Sequence, residues 1–332
     1  MTGEDRLRVV VMGATGALGT ELISVLDERR FPAGDLIPVA TERSMGNEIE
    51  FSGDSYPVLT EVPRLAATDL MFLCTPPAPS LESAREALRA GVPCFDLSGA
   101  LAAQPDVPLV VLDLAGPGTD LSKPLVATPT GAAAAVALAV APLARVAGLR
   151  RVVATALEPA SGAGHQGVES LSREVMALFN QEAPPDPETF GRPVAFDCLP
   201  AVGEVGGDGV SECEQVLARD LRRLLERPEL QVAATVVRVP IFHGRGISVA
   251  VELDGPLSPA DAAAALEKAP GVALETDPRG PSTRASIGDD QVRVGRLRSA
   301  GPAALQLWVV VDVVHQSAVN AVRLAEARLN AG

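Results

Sequence analysis

The chain has 332 residues, enough for two domains with separate cores, and its 47% apolar and 21% charged content is that of a globular protein. A net charge of −14 disfavours attraction to nucleic acid or anionic lipid, and the apolar runs are broken before membrane-spanning length. Neither nucleic acid nor a membrane is expected as a partner.

The opening residues MTGEDRLRVV pass from a polar tail into a β-rich run without the basic and apolar regions of a signal peptide, so the expected location is cytoplasmic. Four cysteines, Cys74, Cys94, Cys198 and Cys213, are irregularly spaced and form no C-x-x-C pair. That pattern argues against a zinc site and against a disulfide framework, and no metal is expected.

In chain order, RLRVVVM (6–12) predicts a buried strand, followed by a glycine turn and a helix to about Arg30 with Leu22, Ile23, Val25 and Leu26 on one face. LIPVA (36–40), EIEF, YPVL, TDLMFLC (68–74), VPCFDL (92–97) and PLVVLDL (108–114) predict strands, with a helix at about 79–90. Strands alternating with helices predict a largely parallel, doubly wound α/β sheet of the Rossmann type over 1–125.

From 126 the rhythm changes. The turn TPTG (128–131) opens a helix of alanine, valine and leucine, and strands at 150–157, 231–240, 246–253, 291–297 and 304–314 alternate with helices at 164–181, 211–226 and 258–268. This predicts a second, α+β domain over 126–315 with a broad mixed or antiparallel sheet, and a last helix (316–330) that returns to the first domain.

Gly13, Gly16 and Gly19 are spaced G-x-x-G-x-x-G between a strand and a helix, where bare amides and the helix dipole can hold a pyrophosphate. The candidate cofactor-binding residues are Gly13, Thr15, Gly16, Ala17, Leu18 and Gly19. A tight turn that lets helix and sheet pack closely is the structural alternative. After the second strand, Arg43 and Ser44 in TERSMG could clasp the 2′-phosphate of NADP, whereas Glu42 could bond a ribose hydroxyl of NAD. NADP is the expected cofactor, with NAD open.

Seven segments in one order, GATGALG, ERSMGNEIEF, FDLSGA, SGAG, RVPIFHG, VGRLR and LWVVVD, give nearly the whole chain a resemblance to the aspartate-semialdehyde dehydrogenase family. The resemblance implies a Rossmann domain, a dimerising second domain, NADP binding, and reversible conversion of aspartyl phosphate to aspartate semialdehyde. It also implies a cysteine nucleophile in an N-P-N-C turn at a helix N-terminus, where this chain has Thr128-Pro129-Thr130-Gly131. The family's general-base histidine falls on Arg245, whose guanidinium stays protonated and accepts no proton at neutral pH. The family glutamine falls on Glu158, and the arginine after D-x-S-x-A on Ala102. Arg298 matches a substrate-binding arginine and Glu214 the acidic residue for the substrate amine.

Those departures make the chain similar to the Usg-like paralogues that lack the catalytic cysteine. A homodimer that binds NADP(H) without phosphorylating dehydrogenase activity is expected, with Arg245, Arg298 and Glu214 available to a small anionic ligand. An oxidoreductase on aspartate semialdehyde or another aldehyde, and a non-catalytic partner that forms a heteromer with the genuine dehydrogenase, are the alternatives. Of the remaining cysteines, Cys74 and Cys94 read as core. Cys213 reads as inert between Glu212 and Glu214 in the first turn of a helix. Cys198 is left open. His165, His243 and His315 read as surface or supporting residues.

Overall fold

The computed structural model describes residues 7–116 and 119–331; Arg6 of the first predicted strand and Pro117 and Gly118 of the inter-domain stretch lie outside the described residues. The chain forms two compact units, Met1–Thr130 with Ser317–Gly332, and Gly131–Gln316.

In the first unit, β1 (Leu7–Met12), β2 (Ala33–Val39), β5 (Leu70–Leu73), β6 (Cys94–Asp96) and β7 (Leu125–Ala127) form a parallel sheet of order β2-β1-β5-β6-β7. Apart from Arg8, β1 is apolar because both of its faces are covered. Val9 and Val11 pack with Leu22 and Leu26 of α1 (Ala17–Glu28) and with Val322 and Leu324 of the chain's last helix, whereas Val10 packs with Ala84 and Ala87 of α2 (Pro77–Ala90). β3 (Glu48–Phe51) and β4 (Asp54–Pro57) make a separate hairpin, strapped to α1 by Ser52, whose amide and hydroxyl donate to Asp27.

Two sequence expectations change here. The second hairpin strand is DSYP rather than YPVL, because Leu59 instead bridges Val39 beside β2. The apolar run 108–114 is not a strand: only Leu109 bridges Ala127, and 112–114 form a turn. β7 takes the place beside β6, and the run is instead held by side chains of the last helix. Asn320 accepts from the Leu112 amide and donates to the Val110 carbonyl, and Arg323 grips Asp113 with two hydrogen bonds of 2.7 and 2.8 Å.

The second unit begins with α3 (Ala133–Ala147), followed by β8 (Arg151–Glu158), α4 (Gly164–Phe179), α5 (Glu212–Leu224), β9 (Gln231–Arg238), β10 (Arg245–Glu252), α6 (Pro259–Glu267), β11 (Val272–Leu274), β12 (Val292–Gly301) and β13 (Ala304–Val311). α7 (Val313–Ala331) is the last helix. The six strands form a mixed sheet of order β11-β12-β13-β10-β8-β9, parallel at both edges and antiparallel within. α3 is apolar all round up to its last turn because it is a core helix: every residue from Ala133 to Leu143 is buried. β11 escapes sequence reading because three residues carry no periodicity.

Candidate functional site

The glycine turn follows the carboxyl end of β1, at the point where the sheet order reverses between β1 and β5, the usual place for a ligand in such sheets. The turn is closed by its own backbone: the Gly13 and Ala14 amides donate to the Val39 carbonyl, and the Gly16 amide to that of Gly13. A side chain on Gly19 would run into the Gly13 carbonyl, so this glycine is needed for close packing. The functional and structural readings of the motif therefore divide among its members. Gly13 and Gly19 shape the turn, while Gly16 is the exposed N-cap of α1 with no side-chain cap. The first-turn amides of Ala17, Leu18 and Gly19 lie beyond the reach of any intrahelical acceptor, which makes them fit for phosphate oxygens.

Thr15 and Ser44 join their hydroxyls at 3.0 Å, tying the glycine turn to a short 3-10 turn, Glu42–Ser44, that carries exposed Arg43. The residues proposed from sequence for the dinucleotide phosphates and for the 2′-phosphate are thus neighbours. At the carboxyl end of β6, Asp96 is buried, accepting from Ser98 and from the Leu101 amide, and burial raises its carboxyl above the usual range. Burial also pushes the Cys94 thiol up to about 12 and that of Cys74 well above the ordinary value, as inert core thiols require.

The second constellation lies wholly in the second unit and follows from strand register. Glu158 ends β8 and Arg238 ends β9, and the parallel pairing sets them side by side; Arg245 begins β10, on the other flank of β8. All three are buried, at 6%, 7% and 4% exposure. Arg245 Nη2 donates to Glu158 Oε2 in a close ion pair, while Arg238 Nη1 lies 3.7 Å from Glu158 Oε1 and donates to the Pro159 carbonyl. The Arg238 guanidinium also stacks over Phe190, 5.1 Å from the ring centre. Gly162 closes the group from the S-G-A-G turn, where a β-carbon would meet Glu158 Oε1 and stand 3.1 Å from Arg238 Nη1.

Gly131 immediately precedes α3 in a left-handed conformation (φ +65°), and the ideal position of a β-carbon there is 3.6 Å from Arg245 Nη1. The glycine and the arginine share one space. Nε and Nη1 of Arg245 have no hydrogen-bond partner among the described residues.

Two residues singled out from sequence do not join this cluster. Arg298 is exposed and bonds Gln306 at 2.7 Å. It pairs opposite Gln306 on β13, whereas Arg245 pairs opposite Val311, five residues and roughly 17 Å away at ordinary strand rise. The arginine that joins Arg245 is Arg238, which sequence reasoning passed over; its signal was its place in RVPIFHG, seven residues before Arg245. Glu214 has both oxygens engaged, Oε2 by the Ser211 amide at 2.8 Å and Oε1 by the Val236 amide at 3.2 Å, so its carboxylate caps α5 and ties it to β9.

Cys213, at the second position of α5, feels the same cluster. Burial pushes its thiol up, Glu158 and Glu212 add to the rise, and Arg245 and Arg238 oppose it. The direction agrees with the sequence reading, but burial and Glu158 outweigh the flanking acids. Cys198 is exposed, beside Leu199, which bridges Arg238. His165 and His243 are exposed, and His315 is buried with Nε2 2.7 Å from Asp290. Ala102 is fully buried.

Family models agree with this architecture: residues 8–117 match the semialdehyde dehydrogenase NAD-binding domain and 140–315 the semialdehyde dehydrogenase dimerisation domain. The chain is 35% identical to a USG-1 protein homolog of Azotobacter vinelandii and 32% identical to the aspartate-semialdehyde dehydrogenase of Aquifex aeolicus, covering 98% of each chain in both cases. The structure of aspartate semialdehyde dehydrogenase II of Vibrio cholerae superposes with a TM-score of 0.92 at 29% identity, over 98% of both chains. The chain belongs to the aspartate-semialdehyde dehydrogenase family.

Proposed function

We propose that this protein binds NADP(H) at the glycine turn and does not carry out phosphorylating dehydrogenation. The observation that carries the proposal is the pair Gly131 and Arg245, placed where the family resemblance implies a thiol nucleophile and an imidazole base. Glycine offers no atom to acylate, and a guanidinium paired with Glu158 takes no proton at neutral pH. Loss of a covalent nucleophile of this kind lowers turnover by a factor on the order of 10⁶.

Binding is supported by the first-turn amides of α1 and by the Thr15–Ser44 contact beside Arg43, whose positive charge suits a 2′-phosphate and favours NADP over NAD. A bound nicotinamide supplies or accepts hydride; the residues of the chain position it.

The uncovered face of the six-stranded sheet supports a homodimer. Val153, Thr155, Ser248, Ala250, Gln306 and Trp308 lie there in register, none of them buried, while Val152, Ala154, Val249 and Leu307 on the opposite face are buried. The same face would serve a heteromer with a genuine dehydrogenase, and co-purification separates the two.

The deciding experiment is phosphate-dependent reduction of NADP⁺ with aspartate semialdehyde, run beside an active dehydrogenase and the Gly131→Cys, Arg245→His double variant. No turnover by the wild type, with NADPH still bound, is expected. Turnover would return Cys198, or another group, to the role of nucleophile.

A further inference from the structure

Phe179, the last residue of α4, and Phe196 stand at the surface of the second unit, 76% and 69% exposed. Their rings meet edge to face, 6.1 Å between centres, a contact that hides little of either. Met176, three residues before Phe179 on the helix, is 62% exposed. Large apolar side chains grouped in water in this way mark a contact surface, unlike the single exposed residues that every protein carries.

Phe196 is the most telling of the three. Its backbone is left-handed (φ +62°), a conformation that a bulky residue rarely adopts and that glycine would hold without strain. A phenylalanine kept there with its ring in water serves neither the backbone nor the core. The segment that carries it is nevertheless firmly held. On one side Glu174 of α4, itself buried, accepts the Val194 amide at 2.7 Å and the Ala195 amide at 2.9 Å. On the other, Leu199 and Arg238 exchange two backbone hydrogen bonds of 2.9 Å, and Leu171, Val194 and Leu199 form a small buried core. Aromatic anchors on a fixed platform lose little freedom when a partner covers them.

Charge decides what the surface can take. From 180 to 210, six exposed carboxylates, those of Glu182, Asp186, Glu188, Asp197, Glu204 and Asp208, stand against one cation, Arg192. Asp197 adjoins Phe196, and Glu182 follows Phe179 by three residues. A two-fold contact between copies would bring this acidic segment against its own image, and like charges facing across an interface are unfavourable. A basic partner has no such penalty: its cations meet the carboxylates while its apolar side chains cover the rings.

We propose that Phe179, Phe196 and Met176 form a docking surface for a basic amphipathic segment of another protein. The surface uses no residue of the glycine turn or of the Glu158 cluster, so it stands whether or not the chain binds NADP(H).

The test is a fluorescence-anisotropy titration of the full-length protein, at physiological salt, with a labelled helical peptide of leucine–lysine heptads. The controls are the same peptide with serine for every leucine, which reports charge attraction alone, and with glutamate for every lysine. Saturable binding of the leucine–lysine peptide, at least about tenfold tighter than either control, is expected. Phe196→Gly should remove that margin while the melting temperature holds or rises, because glycine suits the left-handed backbone. Phe179→Ser, on the regular backbone of α4, should remove it as well. No margin in the wild type, or a margin that survives in both variants, overturns the proposal. So does a change of oligomeric state in either variant, read by sedimentation velocity, since the rings would then belong to a contact between copies.

Discussion

Nη1 of Arg245 stands 3.6 Å from the point where a β-carbon would sit on Gly131, and Gly131 holds a left-handed backbone. Placing a cysteine here is therefore resisted by the left-handed backbone, while its β-carbon would make ordinary contact with the guanidinium. The left-handed conformation costs a non-glycine residue about 1–2 kcal/mol. Gly131→Cys should lower the urea-unfolding free energy by about that amount and restore no turnover while Arg245 remains. A Gly131→Cys variant as stable as the wild type would show that the turn is not held in this conformation.

Glu158 is the only carboxylate that the described ion pairs give to Arg238 and Arg245. Replacing it with glutamine leaves two guanidiniums facing each other in a buried place, a loss on the order of 3 kcal/mol or more. Gly162→Ala should reach a similar end by another route, since its new β-carbon would displace Glu158 Oε1 from Arg238. Chemical denaturation of the two single variants and the double variant checks this. Because both act on one contact, the double variant should lose clearly less than the sum of the singles.

The cysteines should differ in reactivity in a way that depends on pH. The thiolate is the reactive form, and burial raises the Cys213 thiol above its ordinary value, so less thiolate is present at neutral pH than in a free thiol. Its alkylation by iodoacetamide, read by peptide mass spectrometry, should lag behind that of exposed Cys198 at pH 7 and keep rising above pH 9. Cys213 alkylating faster than Cys198 at pH 7 would mean that the two arginines outweigh burial and Glu158.

Much of this molecule was legible in sequence, and the reasons are physical. The apolar centre of β1, Val9–Val11, and the stretch Ala133–Leu143 of α3 are buried on all sides, and both elements read as such in the sequence. The glycine turn was visible because close packing at Gly19 and the left-handed backbone of Gly13 both demand glycine. The run 108–114 misled because its apolar residues pack with only a single bridge to β7, while part of its polar backbone is satisfied by Asn320, some two hundred residues away in the chain. The site shows the same limit. That Glu158 faces Arg238 is a matter of register between β8 and β9, and Arg298 carries the right chemistry at the wrong end of its strand. Motif spacing gives residue types, whereas register decides which of them meet.

The cofactor loop can be tested without disturbing the fold. Gly16 is the N-cap of α1, a position where aspartate is favourable because its carboxylate accepts from the second or third helical amide. In Gly16→Asp that carboxylate would take the amides proposed for the pyrophosphate and repel its charge. Melting temperature should hold or rise while NADPH affinity, followed by nicotinamide fluorescence, falls roughly 100-fold, the equivalent of about 3 kcal/mol. Arg43→Ala should act more narrowly, weakening NADPH about tenfold and NADH little, since only the former carries a 2′-phosphate for the guanidinium. Unchanged NADPH binding in Gly16→Asp would remove the glycine turn from the cofactor site. Equal losses for both nucleotides in Arg43→Ala would mean that Arg43 serves a part they share, and that the preference for NADP must come from elsewhere.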